Sequence, residues 1–536
     1  MRCRVCRIVV MLLTLTFASA SAARRPNIVL IVADDMGFSD VGCFGGEIAT
    51  PNIDRLAATG VRFTQFYNNA RCCPTRASLM TGMYPHQVGV GAMNQDLGPA
   101  AYRGDLSDRC VTLAEALRGA GYRTGMVGKW HLSNLTVSPT APNKAVLNFE
   151  AAGAISESMK SWPCNRGFEE HFGTIAGVGN FFDPWSLVHN QTPITPAKGF
   201  YYTDFINDHA CDLIDQFSRA GEDKPFFLYV AHTAPHWPLH AKPADIAKYA
   251  DTYRDGWDAM RQRRHQRLIE LGIIDRHLAL SAREGQAWDD ASHQDWEARR
   301  MAVYAAQVDC MDQGIGRILN KLDQHKLAGD TLVLFMSDNG GCAENVQPNW
   351  YDIPSKTRNG RAIRIGNDPS MMPGDDTTFQ SYGPSWANLS NTPFRRFKHF
   401  IEEGGIATPL IVRWPARLRS RDGQLERQPG HVIDIMPTCL DAAGVAPPSQ
   451  LEGTSLFAGN RPPTRMFWEH EGARGVRVGD FKLVAARGEP WHLYDLAADR
   501  TELNDLAGLS PDKVAQLQKL YDDWARRCGV QSWPIR

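Results

Sequence analysis

The chain has 536 residues, of which 43% are apolar and 22% are charged, as in ordinary globular proteins. Its formal net charge of -1 gives no electrostatic reason to expect nucleic acid or an anionic membrane as a partner. A chain of this length can bury a large core, and we expect one large domain with a smaller one attached.

The N-terminus is typical of a secretory signal peptide. Positive charges at Arg2, Arg4 and Arg7 precede an apolar stretch over residues 8–17, and small residues suited to cleavage occupy positions 18–22. The apolar stretch is short for a membrane span, which disfavours the alternative of an uncleaved anchor. We therefore predict a signal peptide over residues 1–22, a secreted or periplasmic location, and no stable membrane insertion.

Five apolar runs predict strands that are buried on both faces. They are rich in β-branched residues, lack polar alternation, and cover residues 27–33, 123–127, 225–230, 331–336 and 408–412. Patterns typical of helices cover residues 52–58, 113–118 and 301–322. Because strands and helices alternate, we predict an α/β fold with a large, mainly parallel β-sheet flanked by helices.

Polar residues follow four of these runs at the point where each predicted strand ends. They are Asp34 and Asp35, Lys129 and His131, His232 to His236, and Asp338 and Asn339. In open parallel sheets, ligands bind beyond the carboxyl ends of the strands. Strand ends that carry acids, bases and cations therefore predict one functional site at this edge of the sheet.

The remaining segments predict irregular and antiparallel structure. Residues 237–300 are polar and indicate a helical insertion, and the proline-rich and glycine-rich residues 343–395 indicate a long loop. Short strand-like segments at 465–469, 475–478, 481–485 and 491–494, followed by a helical pattern at 511–526, predict a smaller antiparallel sheet with a helix. We therefore expect a catalytic domain over residues 23–460 and a C-terminal α+β subdomain over residues 461–536.

The acidic strand ends predict a site for a hard cation. Asp34 and Asp35 are adjacent carboxylates, which repel each other unless a cation or hydrogen-bond donors compensate them. Asp338 and Asn339 add a third carboxylate and an amide oxygen. This oxygen set suits Ca²⁺ or Mg²⁺ better than zinc, and the Cys and His spacing does not predict a zinc site.

Cys72 begins the segment Cys72-Cys73-Pro74-Thr75-Arg76, which has the spacing Cys-x-Pro-x-Arg. This segment resembles the signature of the type I sulfatases, in which the cysteine is oxidised after translation to Cα-formylglycine. The resemblance extends over residues 26–529, and the segment from Gly37 to Asn52 is most similar to bacterial arylsulfatases. It implies an alkaline-phosphatase-like fold and, as a partner, an enzyme that modifies Cys72.

The same resemblance assigns expected roles to other residues. Lys129 and His131 match the family's second signature, His236 matches the third, and Lys398 matches the last active-site lysine. The family's cation is usually Ca²⁺, with Mg²⁺ as an alternative. The resemblance implies that it is held by an oxygen of the modified Cys72 and by the four oxygen-bearing residues Asp34, Asp35, Asp338 and Asn339.

The implied reaction is the hydrolysis of a sulfate monoester to an alcohol or phenol and inorganic sulfate. An aldehyde hydrates to two geminal hydroxyls, of which one attacks sulfur with Asp338 as base. Arg76, Lys129, Lys398 and the cation stabilise the developing negative charge, although Arg76 has the alternative role of bracing Cys72. His236, together with Lys398, protonates the leaving oxygen, and His131 accepts the proton of the second hydroxyl so that sulfate leaves.

Two other functions remain open on sequence grounds. A phosphate or phosphonate monoester hydrolase would use similar residues, because tetrahedral oxyanions share their geometry. An inactive protein that binds sulfated glycans would keep the fold with an unmodified Cys72. The substrate, an aryl sulfate or a sulfated carbohydrate, is also open. His240, Lys242 and His399 are candidates for the mouth of the substrate pocket. His232 suits a structural role better. Packing roles also suit most tryptophans better, including Trp257, Trp288, Trp296, Trp350 and Trp386.

Overall fold

The computed structural model describes residues 25–134, 159–219, 224–348, 350, 353–459, 461–463 and 465–535. The predicted signal peptide lies outside the described residues. Within them, an eleven-stranded sheet forms the centre of the large domain. Its strands are β1 (Asn27–Ala33), β2 (Val61–Tyr67), β3 (Arg123–Gly128), β4 (Glu170–Thr174), β5 (Leu187–His189), β6 (Thr192–Pro193), β7 (Phe226–Ala231), β8 (Thr331–Ser337), β11 (Ala407–Arg413), β12 (Leu425–Glu426) and β13 (Gly430–His431). A separate ladder pairs β9 (Arg364–Ile365) with β10 (Thr378–Phe379).

The middle of the large sheet is parallel and its flanks are mixed. The strand order is β12-β2-β11-β8-β1-β7-β3-β4-β5-β6, and β13 also pairs with β2. Neighbours from β8 to β4 run parallel, with Ile28 of β1 opposite Phe227 on one side and Leu332 on the other. Strand β11 is antiparallel to both β2 and β8. The predicted α/β fold with a mainly parallel sheet is therefore confirmed.

Helices cover both faces of this sheet. They are α1 (Pro51–Ala58), α2 (Cys72–Thr81), α3 (Leu113–Gly119), α4 (Tyr202–Arg219), α5 (Pro243–Ala247), α6 (Gly256–Glu270), α7 (Gln294–Gln324), α8 (Gly383–Ser390), α9 (Glu403–Ile406), α10 (Pro415–Leu418) and α11 (Ile435–Ala443). Val29 and Ile31 of β1 belong to a core shared with α1, α4 and α7. Ile28 and Leu30 belong to a second core shared with α2, α3 and α11. A strand buried on both faces explains why its sequence lacks polar alternation.

Several elements of the large domain were not predicted, among them β2 and α4. Strand β2 has partly exposed Arg62 and Gln65 near the edge of the sheet, so it does not form a continuous apolar run. Helix α4 carries its apolar residues on one face and charged residues on the other. The predicted insertion at 237–300 is helical, with α5, α6 and the start of α7, and the predicted loop at 343–395 contains α8 and the small ladder.

The C-terminal part forms the predicted antiparallel sheet with a helix. The order is β14 (Arg465–His470), β15 (Ala473–Val478), β16 (Phe481–Ala485) and β17 (His492–Asp495), and α12 (Pro511–Cys528) packs on β15 and β16. A small apolar core lies between the sheet and α12. Buried Lys482 Nζ lies 3.1 Å from Glu403 Oε1 of α9, so charged contacts join the two parts. The boundary between residues 460 and 461 stays a prediction.

Candidate active site

The four polar strand ends meet at one edge of the sheet. They follow β8, β1, β7 and β3, which are consecutive parallel neighbours and therefore end on the same side. Strand β11 is antiparallel, so the segment that precedes it, with Lys398, reaches the same edge. The side chains at this edge are buried: Asp34, Asp35, Lys129, His131, His236, Asp338, Asn339 and Lys398 are each at most 5% exposed.

Cys72 is the first residue of α2 and is 1% exposed. The turn before the helix is held by Asn69, whose backbone N–H donates to Thr75 Oγ1 and whose side-chain amide donates to Ser78 Oγ. The Sγ of Cys72 lies within 4.8 Å of a ring nitrogen of His131. A hydrogen bond with Cys73 and the positive charge of Lys129 place the pKa of the Cys72 thiol well below its usual value. The motif cysteine therefore sits in a basic environment within the site.

The carboxylates at the centre of the site are linked to one another and to cations. Asn339 Nδ2 donates to Asp35 Oδ1 over 2.6 Å, and the backbone N–H of Asp35 donates to Asp338 Oδ1 over 3.2 Å. Lys129 Nζ donates to Asp34 Oδ2 over 2.5 Å, and Lys398 Nζ donates to Asp35 Oδ2 over 2.8 Å. Asp35 has a φ of 63°, which turns the chain sharply so that both adjacent carboxylates enter the site.

Two buried oxygens of this centre have unused bonding capacity. Among the described residues, neither Asp34 Oδ1 nor Asn339 Oδ1 has a hydrogen-bond partner. Burial and the nearby Asp338 raise the pKa of Asp34 well above its usual value, and burial likewise raises the pKa of Asp338. A buried acceptor without a donor is unfavourable, and a hard dication would satisfy both oxygens. The donor set therefore fits Ca²⁺ or Mg²⁺.

Two histidines of the site are held in the neutral form. Burial lowers the pKa of His131 to about 4 and that of His236 to about 3. His236 Nδ1 lies 2.5 Å from the carbonyl oxygen of Trp237, so this nitrogen donates and Nε2 is left as the acceptor. Lys398 Nζ lies 3.3 Å from His236 Nε2. The ammonium of Lys398 is therefore the proton-bearing member of this pair.

Arg76 contacts protein groups through both ends of its guanidinium. Its Nε donates to Asp338 Oδ2 over 2.8 Å, its Nη2 lies 2.8 Å from the same oxygen, and its Nη1 donates to the carbonyl oxygen of Lys129 over 2.9 Å. The side chain is fully buried. This geometry places Arg76 as a brace between α2, Asp338 and Lys129, one helical turn from Cys72.

A partly exposed set of residues surrounds Lys398. It contains His399, which was a sequence candidate for the mouth of the substrate pocket, and three residues that were not candidates, Arg71, Trp237 and Glu344. Glu344 Oε1 accepts from Arg71 Nη1 over 2.8 Å and lies 2.9 Å from His399 Nε2. Glu344 Oε2 accepts from Trp237 Nε1 over 2.8 Å and lies 3.9 Å from Lys398 Nζ. The only signal for Arg71 and Trp237 in the sequence was that they adjoin Cys72 and His236.

Other candidates from the sequence lie outside the site. His240 is buried and its Nε2 is 2.6 Å from the carbonyl oxygen of Thr378, while Lys242 pairs with Asp204. His232 is buried after β7, and burial lowers its pKa to about 3. Trp257, Trp288 and Trp386 pack on one another with ring centroids 4.8–5.9 Å apart. Trp296 is also buried, whereas Trp350 is partly exposed and packs against Trp237 at 5.3 Å.

Comparisons with known proteins place the chain in a family. The sulfatase family model matches residues 26–445, and a model described as N-sulphoglucosamine sulphohydrolase, C-terminal, matches residues 394–523. An uncharacterized sulfatase of Schizosaccharomyces pombe is 32% identical over 569 residues, covering 97% of each chain. An arylsulfatase of Klebsiella aerogenes is 32% identical over 455 residues, covering 81% of this chain and 90% of that protein.

A solved structure supports the fold. The crystal structure of Ps i-CgsB in complex with k-i-k-neocarrahexaose matches with a TM-score of 0.66 and 23% identity, covering 96% of this chain and 94% of that chain. None of the helices in the described part of this chain has the length and hydropathy of a membrane span. The alkaline-phosphatase-like sheet, the site at its edge and the family matches lead to one assignment: the chain belongs to the sulfatase family and is a sulfuric ester hydrolase.

Proposed function

We propose that Cys72 is the modified residue and that the enzyme hydrolyses sulfate monoesters through its Cα-formylglycine form. The observation that carries this proposal is the position of Cys72, buried at the start of α2 between the basic groups and the carboxylate centre. The hydrated aldehyde supplies two geminal hydroxyls, one to attack sulfur and one to release sulfate by C–O cleavage. A maturing enzyme of the host carries out the modification before the chain folds around this buried residue.

A Ca²⁺ ion, or Mg²⁺ in its place, completes the site in this proposal. Asp34, Asp35, Asp338 and Asn339 hold it together with an oxygen of the modified Cys72, and the unused oxygens of Asp34 and Asn339 support this assignment. A bound dication supplies Lewis-acid stabilisation of the sulfate oxygens. It also compensates the three carboxylates, which Lys129, Arg76 and Lys398 neutralise in part.

The basic residues divide into positioning and proton-transfer groups. Arg76 positions Asp338, and Lys129 positions Asp34. Lys398 protonates the leaving oxygen, because its ammonium carries the proton while His236 presents an acceptor nitrogen beside it. His131 lies beside Cys72 in its neutral form, which is the state that a proton acceptor requires.

We further propose that residues 1–22 direct export to the periplasm or the medium, with residues 23–460 as the catalytic domain and 461–536 as the C-terminal subdomain. The substrate is a small-molecule or glycan sulfate ester. The names of relatives are compatible with both substrate classes. One relative is an arylsulfatase, and another is an N-acetylglucosamine-6-O-sulfatase of Bacteroides thetaiotaomicron.

Peptide mapping by mass spectrometry tests the proposal at Cys72. Protein made with a sulfatase-maturing enzyme should contain the aldehyde at this position, with a lower mass than the encoded peptide. An ordinary thiol in fully active protein would contradict the mechanism, and a thiol in inactive protein would favour the glycan-binding alternative.

Matched aryl esters test the remaining alternative. We expect the aryl sulfate to be hydrolysed with the higher kcat/KM. A strong preference for the aryl phosphate or phosphonate would instead support the phosphate or phosphonate monoester hydrolase.

A further inference from the structure

The partly exposed residues around Lys398 form a rim, which we define as Arg71, Trp237, Glu344, His399 and Glu471. Exposure rises outwards along their contacts, from 1% for the Lys398 side chain to 18% for Glu344 and 35% for His399. The rim therefore marks the direction from the buried sulfate centre towards solvent. We therefore expect the alcohol part of a sulfate ester to extend in this direction.

The C-terminal subdomain contributes the last rim residue. Glu471 lies in the turn between β14 and β15, and its side chain is 34% exposed. Ligand atoms of Glu471, His470 and His399 lie within 4.8 Å of one another, which is a spacing that a metal ion could bridge. The ring nitrogens of His399 are, however, engaged by Arg71 and Glu344 at 2.9 Å each. The described contacts therefore favour recognition of an organic group over a second metal site.

The charges of the rim sum to a negative value. Arg71 carries one positive charge, and Glu344 and Glu471 carry one negative charge each. Burial lowers the pKa of both His399 and the neighbouring His470, so these rings are neutral. Lys398 does not change the balance, because Asp35 lies 2.8 Å from its ammonium. A second anionic group of a substrate would meet two carboxylates and one guanidinium that is already paired.

The rim also offers groups that recognise hydroxyls and a flat ring. Arg71 is a donor and the carboxylate of Glu471 is an acceptor, and a hydroxyl group can serve both. The indole of Trp237 is partly exposed and lies next to His236, with ring centroids 4.7 Å apart. Together with the partly exposed Trp350, 5.3 Å away, it supplies aromatic surface beside His236. Pockets that combine one aromatic face with a few polar groups suit a ring that has both C–H faces and hydroxyls.

We propose that the rim selects sulfate esters of neutral, hydroxyl-rich sugars and discriminates against sugars that carry a second anionic group. This inference rests on the proposed function, since it describes the alcohol side of the same ester. In this proposal Glu471 is a specificity-determining residue, because the negative charge of Glu471 repels a second sulfate or a carboxylate on the sugar.

The test compares two substrates across a charge series at position 471. A panel of methyl hexoside monosulfates identifies the best neutral sugar, and the same hexoside with a second sulfate is the anionic partner. We expect wild-type kcat/KM to be at least about tenfold higher for the monosulfate. A unit charge roughly 7 Å from a second unit charge, in a water-like medium, changes the binding constant of that second charge about threefold. The disulfate-to-monosulfate ratio should therefore rise about threefold in Glu471→Gln and about tenfold in Glu471→Lys.

Asp323→Lys is the matched control. Asp323 is exposed near the end of α7, at the opposite edge of the sheet from the site, and this change alters the net charge as much as Glu471→Lys does. The ratio in Asp323→Lys should equal that of the wild type. A rise of the same size in this variant would assign the effect to total charge and overturn the role of Glu471.

The outcomes separate this inference from the proposed function. Hydrolysis of 4-nitrophenyl sulfate without hydrolysis of any neutral sugar sulfate would overturn the inference and leave the proposed function intact. An equal or higher wild-type kcat/KM for the disulfate, or a ratio unchanged in Glu471→Gln and Glu471→Lys, would also overturn it. Failure on every sulfate ester by protein that carries the aldehyde would overturn the proposed function and the inference with it.

Discussion

Lys398 Nζ lies 3.3 Å from Nε2 of His236, whose other ring nitrogen is fixed by the carbonyl oxygen of Trp237. Burial lowers the pKa of His236 to about 3, so the proton of this pair resides on the lysine. This arrangement supports Lys398 as the principal acid, whereas the sequence-based expectation gave that role to His236. The difference arises from burial, which a motif does not report.

Replacing Lys398 should slow the reaction most for poor leaving groups. In Lys398→Ala we expect kcat to fall by roughly 10²- to 10⁴-fold for alkyl or sugar sulfates, which is the usual contribution of general acid catalysis. The fall should be smaller for aryl sulfates of acidic phenols, because such oxygens leave without protonation. The measurement is kcat against the pKa of the leaving alcohol, for the wild type and the variant.

Lys398→Arg is the companion variant. A guanidinium keeps the positive charge beside Asp35 but does not release its proton. The kcat of Lys398→Arg should therefore depend on the leaving group in the same way as that of Lys398→Ala. The loss of folding stability should be smaller in Lys398→Arg. An equal loss across all leaving groups in both variants would show that Lys398 only positions its neighbours.

Calcium should bind at the carboxylate centre and stabilise the folded protein. A ligand at 100 times its Kd adds about 2.7 kcal/mol to the free energy of unfolding, and removal by a chelator should reverse this. Asp34→Asn and Asn339→Ala should bind calcium at least about tenfold more weakly, because each replaces an oxygen without a described partner. The measurements are calcium content and Tm as a function of added calcium. Asp323→Asn, which changes an exposed acid far from the site, should bind as the wild type does.

The central part of the site was predictable because it depends on local rules. Strand ends place Asp34, Lys129 and Asp338 at one edge of a parallel sheet, and each follows its predicted apolar run directly or after one residue. Apart from His399, the rim was not predictable in this way. Glu344 lies in a loop, and Glu471 lies in a hairpin of the C-terminal subdomain. The approach of Glu344 to Arg71 depends on the course of that loop, and the approach of Glu471 depends on how the subdomain docks; the sequence has no local signal for either.

Gly177 fixes the position of His131 by its lack of a side chain. A Cβ at position 177 would lie 2.1 Å from His131 Cε1, which is far inside van der Waals contact. Gly177→Ala should therefore displace the imidazole from Cys72 and lower kcat by about 10²-fold, the order expected for a misplacement of about 1 Å. The fold should persist, as judged by circular dichroism and Tm.

Gly179→Ala provides the matched control two residues away. A Cβ there would meet its nearest atoms at 3.7 Å, an ordinary contact. This variant should retain activity within about twofold of the wild type, since surface-like changes without a clash have small effects. Equal losses in both variants would mean that the segment, and not the space for His131, is what activity requires.

The contact between the domains should make stability depend on pH through Glu502. Its Oε1 lies 2.7 Å from Lys482 Nζ, and its Oε2 accepts from the backbone N–H of Glu403. Burial, opposed by Lys482 and reinforced by the charge of Glu403, raises the pKa of Glu502 to about 7. Because the pKa is higher in the folded state, this group's contribution is complete below pH 4.5 and is lost as the pH rises through 7.

Glu502→Gln isolates this effect because glutamine does not ionise. It keeps an acceptor for only one of Lys482 and the Glu403 N–H, and this fixed loss is the same at every pH. Relative to this variant, the wild type should lose about 3 kcal/mol of unfolding free energy between pH 4.5 and pH 8, given that one pKa unit corresponds to about 1.4 kcal/mol. Urea unfolding at several pH values measures the difference. A wild type that gains stability relative to the variant over this range would mean that Glu502 is ionised throughout and that its ion pair with Lys482 outweighs burial.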